Sequence, residues 1–277
     1  MGFRINTNVS SLAAQRSLGV NNRESESVLN KLSSGSRITK AADDAAGLAI
    51  SEKMKSGIRS MKQADRNAND GISMVQTAEG GLNEVSSILT RMRELAVQTA
   101  SDTVGDVERD MTNLEYQNLK LELDRISQVT EFNGKKLLNG EGDKYDFQIG
   151  INNDSFQDRI SYDAKQVNSR LDSLGVAELD VSSKTGSQES LGALDSAIEK
   201  VSGQRAFLGA IQNRLVSTSN NLQVNVENLS AANSRIRDVD YADATAQKAK
   251  NDILAAAGTS VLAQANMSSQ NALKLIG

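Results

Sequence analysis

Apolar positions along the chain recur at helical spacing over long stretches and, briefly, at the spacing of a strand. The clearest pattern is a heptad: Leu194, Val201, Leu208, Leu215, Leu222, Leu229 and Ile236 fall at every seventh residue. The positions three before them, among them Leu191, Ile198, Arg205, Gln212 and Ser219, are mixed. Such a repeat predicts a helix with one apolar seam, whose polar members set register in a helical bundle. At 1.5 Å per residue it extends roughly 70 Å, far beyond an ordinary globular helix. A second long helix is predicted from Asp43-Asp44 toward Gln98, with Ile72, Val75, Ala78, Leu82, Val85, Leu89, Met92 and Ala96 on one stripe. Aspartate suits its start, as a cap and at the positive end of the helix dipole. "NANDG" (67–71) reads like a turn, but the apolar register resumes at once, so one helix, weak at that point, is expected.

Shorter elements fill the remainder. The opening segment places Ile5, Val9 and Leu12 at helical spacing, with Val28, Leu29 and Leu32 later, and Ser33-Ser34-Gly35 predicts its end with a left-handed glycine. "SDTVGD" (101–106) predicts a loop whose Asp106 caps a third helix carrying Val107, Met111, Leu114, Leu121, Leu123 and Ile126. The period then changes: "KKLL", "YDFQIG" and "RISYD" predict short strands, with a turn at Asn139-Gly140 between the first two. A Ser-rich connection follows over 163–189, with a short helix near Val167 to Leu174. After the heptad helix, "RIRDVDYAD" (235–243) is a joint into a last helix that carries Leu254, Val261, Leu262 and Leu273 close to the carboxyl terminus. The expected class is therefore mainly α, with long antiparallel helices in a rod-like bundle and a small β-hairpin region in the middle of the chain.

Composition sharpens this picture. Proline is absent from 277 residues, which suits uninterrupted helices. Hydrophobic residues make up 38% and aromatics 3%, thin provision for a deep core. Chains usually have polar, frayed ends. The apolar residues near this carboxyl terminus predict either burial within the domain or a surface kept for another molecule.

Chemistry is conspicuous by what is missing. There is no Cys and no His, which removes disulfides, thiolate catalysis and the commonest acid-base and metal ligand. No phosphate loop, dinucleotide fingerprint, nucleophile elbow or metal-ligand cluster occurs, so neither catalysis nor a cofactor is expected. Asp43 and Asp44 are adjacent and do not share a helix face, which favours capping over paired-carboxylate chemistry. The Asn-x-Ser triplets at Asn8, Asn153, Asn228 and Asn266 are short enough to arise by chance. A net charge of -4 with mixed signs offers no face for nucleic acid. No run approaches the ~20 apolar residues of a membrane span, and the N-terminus has no apolar stretch like a secretory signal.

Several segments together resemble bacterial flagellin. They are "INTNVSSLAAQRSL", "KLSSGSRITKAADDAAGLAISEKM", "DGISMVQTAEGGLNEV", "RMRELAVQTA" and "DRISQVTEFNGKKLLNG" in the first half, and "QRAFLGAIQNRL", "ENLSAANSRIRDVDYA" and "SVLAQAN" in the second. They run in family order over roughly 3–150 and 190–277. The resemblance implies a structural subunit, not an enzyme, that polymerises into the extracellular flagellar filament for motility. It implies a terminal coiled-coil domain from 1–43 and 237–277, and a rod domain from 44–236 with its β region at about 132–162. The short connection at 163–189 stands where relatives insert outer domains. Terminal helices that order only on polymerisation would make Ile5, Val9, Leu12, Leu254, Val261, Leu262 and Leu273 the assembly residues, while Leu194 to Ile236 form the rod seam.

The resemblance also implies partners: identical or paralogous subunits, an export chaperone on the C-terminal helix, the flagellar type III export apparatus, reached without a cleaved signal, and hook-associated and cap proteins. Arg91 and Leu95, with Glu122, match the pattern read by Toll-like receptor 5; Thr90 replaces the usual Gln there. The same surface also suits axial packing of subunits. Two other readings compete: a hook-filament junction protein, which shares the terminal regions, and an intracellular coiled-coil scaffold, which the heptads alone permit.

Overall fold

The computed structural model describes residues 7–142 and 144–274, with side chains to residue 267. Ile5 lies outside the described residues, and so does the side chain of Leu273. Among the described residues there are six α-helices: α1 (Val9–Ser34), α2 (Ala45–Thr99), α3 (Asp106–Val129), a single turn α4 (Leu171–Leu174), α5 (Lys184–Arg237) and α6 (Tyr241–Lys274). Four strands, β1 (Glu131–Phe132), β2 (Lys135–Lys136), β3 (Lys144–Gln148) and β4 (Arg159–Asp163), make two antiparallel pairs. The chain divides into a terminal unit, Met1–Ser56 with Glu227–Gly277, and a middle unit, Gly57–Val226.

In the terminal unit α1 lies against α6, antiparallel to it. Asn8 caps α1 by accepting a hydrogen bond from the Ser11 amide, and Gly35 ends it in the left-handed region at φ 67°. The segments following α1 and α5 then pair: Ser36 bridges Asp238, Arg37 N–H donates to the Arg237 carbonyl at 2.6 Å, and Val239 N–H to that of Gly35 at 3.0 Å. Both neighbouring carboxylates are structural. Asp44 accepts from the Gly47 amide at 2.9 Å and so caps α2, while Asp43 accepts from the Lys40 and Thr39 amides and the Thr39 hydroxyl. Those backbone donors hold the Asp43 carboxyl below its usual pKa. At the start of α6, Asp240 accepts from the Ala242 amide at 2.9 Å.

The middle unit owes its core to α2 and α5. Val75, Ala78, Leu82, Val85, Leu89 and Met92 of α2 meet Leu194, Ala197, Val201, Leu208 and Leu215 of α5, with Tyr116 and Leu123 of α3 and Leu137, Leu138, Ile160 and Tyr162 closing the cluster. The antiparallel course is marked by polar contacts: Ser219 Oγ donates to Asp65 at 2.5 Å, Arg93 Nε to Asp195 at 2.6 Å, and Ser187 Oγ lies 2.8 Å from Thr99 Oγ1.

Glycine inside α2 is explained by what approaches it. A Cβ on Gly71 would lie 3.1 Å from the Phe147 ring, and one on Gly81 would lie 2.7 Å from Leu138 Cδ1. "NANDG" is therefore helix, kept slim where β3 crosses, and Asn67 Nδ2 donates to the Gln148 carbonyl at 2.9 Å.

Four local expectations change. Gly105, not Asp106, occupies the N-cap of α3, and Asp106 enters the first turn, where it pairs with Arg109. "KKLL" pairs backwards with β1 through Asn133 (φ 50°) and Gly134 (φ 75°). This two-residue turn, with both residues left-handed, suits the twist of a hairpin. Leu137 and Leu138 leave the strand for the core, and the turn at Gly140 joins no paired strands. Helix α5 begins at Lys184, inside the stretch expected as connection, because Ser183 Oγ accepts from the Gly186 amide and a polar first turn needs no apolar stripe.

Burial raises the pKa of Tyr116 to about 12 and that of Tyr162 above its ordinary value. Their neutral forms thus favour the folded chain fully below about pH 10, and that contribution is lost as pH rises through the raised values. A tyrosinate absorbance titration should show a late step coinciding with loss of helical circular dichroism, and Tyr116→Phe should move that step to higher pH. Leu208→Ala should cost about 2–5 kcal/mol in thermal or denaturant unfolding.

Candidate assembly surfaces

The third helix is built inside out. Arg109, buried at 8% exposure, donates from Nε to the Thr99 carbonyl at 3.0 Å and from Nη2 to that of Ser101 at 2.9 Å, closing the loop between α2 and α3. Lys120, also buried, donates to the carbonyls of Ala177 (2.5 Å) and Leu179 (3.1 Å). Asn113 Oδ1 accepts weakly from the Val181 amide at 3.5 Å. The inward face of α3 thus supplies donors to carbonyls of the chain passing over it, which would otherwise be buried unpaired at a cost of about 1–3 kcal/mol each. Burial pulls the Lys120 ammonium below its usual pKa.

Several apolar residues of α3 occupy the opposite side. Val107, Met111, Leu114 and Leu121 are each 66–69% exposed; of the apolar residues predicted on this helix Leu123 is buried and Ile126 packs partly buried against the core. A row of exposed apolar side chains on a helix anchored by buried cations is a candidate contact surface. A sequence reading that sends cations to solvent selects the wrong face. The usable signal was the competing register Arg109, Tyr116, Lys120, Leu123, Ser127, with its buried tyrosine and leucine.

The terminal unit shows the same distribution. Val9, Leu12, Leu254 and Val261 are exposed, as are Val20, Leu29, Ile253 and Met267, while Leu262 is half-buried. Of α1, only Ser11, Asn21 and Val28 are buried; on α6, Ala244 and Asn251 are buried among the described side chains. Between the helices runs a groove of about 590 Å³ lined by Ala13, Ala14, Leu18, Leu254, Gly258 and Val261.

The remaining sequence-predicted residues fall as follows. Leu194, Val201, Leu208 and Leu215 are fully buried and Leu222 nearly so; Leu229 and Ile236, in the terminal unit, are half-buried. Arg91 is exposed and bonds Glu115 (2.9 Å) and Glu94 (3.0 Å), chiefly Glu115, whose hydrogen bond raises its pKa. Glu122 is exposed and pairs with Arg125. Leu95 does not share that surface: it is 2% exposed, in the core, because the register of α2 that buries Met92 and Ala96 turns it inward.

Among the described residues no group of three or more His, Cys, Asp or Glu could hold a metal ion, and no helix is long and apolar enough to cross a membrane. Long helices, caps that consume the paired carboxylates, and apolar faces turned outward on both units define a structural subunit.

Comparison with known proteins identifies the kind. Residues 5–143 match the bacterial flagellin N-terminal helical region and residues 191–276 the bacterial flagellin C-terminal helical region. This chain belongs to the bacterial flagellin family, structural proteins of the flagellar filament and not enzymes. It is 44% identical to a flagellin of Halalkalibacterium halodurans over 98% of this chain and 99% of that one. It is 43% identical to a flagellin of Bacillus subtilis over 99% of this chain and all of that one. The crystal structure of Bacillus cereus flagellin shares its fold at a TM-score of 0.51 and 31% identity, covering 61% of this chain and 94% of that one.

Leu114→Gln should leave thermal stability within about 0.5 kcal/mol of the parent, because the side chain is exposed. Leu123→Ala, one helix face away, should lose about 2–5 kcal/mol. Equal losses from the two would show that α3 is not inverted.

Proposed function

We propose that this chain builds the flagellar filament by docking its terminal helices and the outward face of α3 onto neighbouring copies, so that ordering of the ends and assembly are one event. The observation that carries this is the burial pattern of α1, whose only apolar buried side chain is Val28. Ordering costs roughly 1–2 kcal/mol per residue in backbone entropy, and burying one valine returns only about 1.5–3 kcal/mol. Contacts from other subunits must supply the rest, which makes folding of the ends conditional on binding. Contacts that repeat head to tail without closing generate a helical polymer.

In this reading residues 1–43 and 237–277 form the inner coiled-coil domain and 44–236 the rod. Val9, Leu12, Leu254, Val261 and Leu262 are its assembly residues, and Leu194 to Ile236 hold the rod seam. The flagellar type III apparatus exports the chain without cleaving a signal, and a chaperone masks the apolar C-terminal helix until export. Hook-associated and cap proteins meet the same terminal surfaces at the filament's ends. The exposed ion pairs of Arg91 and Glu122 belong to subunit packing; Toll-like receptor 5 would have to displace Glu94 and Glu115 from Arg91 to read it.

Leu262→Glu should abolish polymerisation, scored by sedimentation and electron microscopy, while the helical signal and thermal midpoint of the monomer stay near those of the parent. Filaments of normal length from this variant would refute the assignment. Limited proteolysis of dilute monomer should remove roughly the first and last 40 residues and spare the middle, whereas protease should leave assembled filaments intact.

A further inference from the structure

The terminal pair contains a second heptad, made largely of small and polar residues. On α1 the side chains turned from solvent are Ser11, Ala14, Leu18, Asn21, Ser25, Val28 and Leu32, alternating three and four apart; on α6 they are Ala244, Lys248, Asn251, Ala255, Gly258, Leu262 and Ala265, alternating four and three. The two rows face one another in antiparallel order. Asn21 Nδ2 donates to the Asn251 carbonyl at 2.8 Å, Leu18 reaches Gly258 closely enough that a Cβ there would lie 3.1 Å from its Cδ1, and Asn8 Nδ2 donates to the Ala265 carbonyl at 2.8 Å. Ser11 Oγ donates to Asn266 Oδ1 at 2.9 Å.

Alanine, serine and glycine make such rows nearly smooth. A shift of one heptad, about 10 Å along the axis, or a roll of α1 about its axis, sets small residues against small residues again, so packing alone discriminates poorly between alignments. The bridge of Ser36 with Asp238 fixes only the base of the pair. Farther out, the discriminating groups are polar. Asn21 and Asn251 are 8% and 6% exposed, and the carbonyl that accepts from Asn21 lies beneath the small Ala255 one turn on, whereas a shift of one heptad would bring Asn21 to a carbonyl beneath Leu262 or Lys248, whose longer side chains obstruct it and leave the carboxamide unpaired. The stretches of α1 and α6 between this contact and that of Asn8 with Ala265 are nearly equal, roughly 20 Å each, so the two contacts close together in this alignment.

We infer that Asn21 is a positioning residue: its buried hydrogen bond to the Asn251 carbonyl selects the register and roll of the α1–α6 pair, and so fixes which apolar side chains are left outward for the neighbouring copies. A lone buried asparagine in a coiled coil specifies alignment at a cost in stability, which separates this role from a stabilising one. The inference rests on the terminal pair being the assembly element.

The chain's freedom from cysteine allows a direct test in the full-length protein. Leu18→Cys with Gly258→Cys reports the native alignment, and Leu18→Cys with Ala265→Cys reports a shift of one heptad. Each pair is combined with Asn21→Leu, which removes the polar group, Asn21→Asp, which keeps the shape but, when ionised, loses the donor, and Asn21→Gln, which keeps a carboxamide. Cross-linking is read in sedimented filaments and in the soluble fraction. With Asn21 intact the native pair should dominate. With Asn21→Leu or Asn21→Asp the ratio of native to shifted cross-link should fall about tenfold or more, Asn21→Gln should restore it at least in part, and filaments of Asn21→Leu should resist heat as well as the parent's. Native cross-links alone in Asn21→Leu, an Asn21→Gln ratio no better than that of Asn21→Asp, or absence of both cross-links in a variant whose middle unit is folded would overturn the inference. Failure of the assembly reading gives a different result, normal filaments from Val261→Glu, whose side chain is exposed and outside the facing rows, with the cross-link ratios unchanged.

Discussion

Leu82, Leu89 and Met92 of α2, with Leu194, Val201 and Leu208 of α5, are withdrawn completely from water, and this line of contact consumes much of the apolar surface the chain possesses. With only 38% hydrophobic residues and 3% aromatic, little is left to bury a third helix or a pair of ends in the same way. The protein meets that constraint by holding its peripheral elements through main-chain carbonyls. Arg109 grips the end of α2, Lys120 grips the passing connection, and Asn21 grips α6. Each contact is buried and directional, so each fixes a position without spending apolar area.

The apolar side chains thereby released are the ones we propose for contact between copies. On α3 they form a stripe pointing away from the core, and on α1 and α6 they cover the faces not used by the small-residue rows. In the proposed assembly a subunit stays dispersed alone and adheres in company. Spreading moderate apolar stripes over separate helices, with exposed ion pairs such as Arg91 with Glu115 and Glu122 with Arg125 on α2 and α3, keeps any one patch from being strongly adhesive. Many such stripes engaged together make a cooperative lattice.

Long elements were legible in the sequence because their period is sustained. The heptad from Leu194 and the stripe from Ile72 identified α5 and α2, although the polar first turn of α5 was read as connection, and Ser34-Gly35 marked the end of α1. The faces were less legible. Val107, Met111, Leu114 and Leu121 have the spacing of a core stripe, and nothing local reveals that Arg109 and Lys120 find buried carbonyls from distant loops. Leu95 was placed on the surface, with Arg91 and Glu122, by resemblance to the pattern read by Toll-like receptor 5, although its register with Met92 and Ala96 places it inside. The row on α1 and α6 escaped because most of its members are Ala, Ser, Gly or Asn, which a search for apolar periodicity passes over, and its few leucines are too widely spaced to mark it. The hairpin turn at Asn133-Gly134 was visible as a dipeptide but sat beside strands only two residues long.

The hold of Lys120 on the connection carries an evolutionary corollary. Its ammonium grasps the carbonyl oxygens of Ala177 and Leu179, atoms that every amino acid supplies in the same place. The intervening Glu178 and the following Asp180 are exposed and give Lys120 no hydrogen bond, although their charges favour its ammonium form, and the Asp180 carboxylate accepts from Ser182. The exposed Ser173 and Glu178 side chains are therefore the places where a lineage pressed by antibodies or phages changes the appearance of this segment most cheaply, so long as the negative charge beside Lys120 is kept, while its path stays constant.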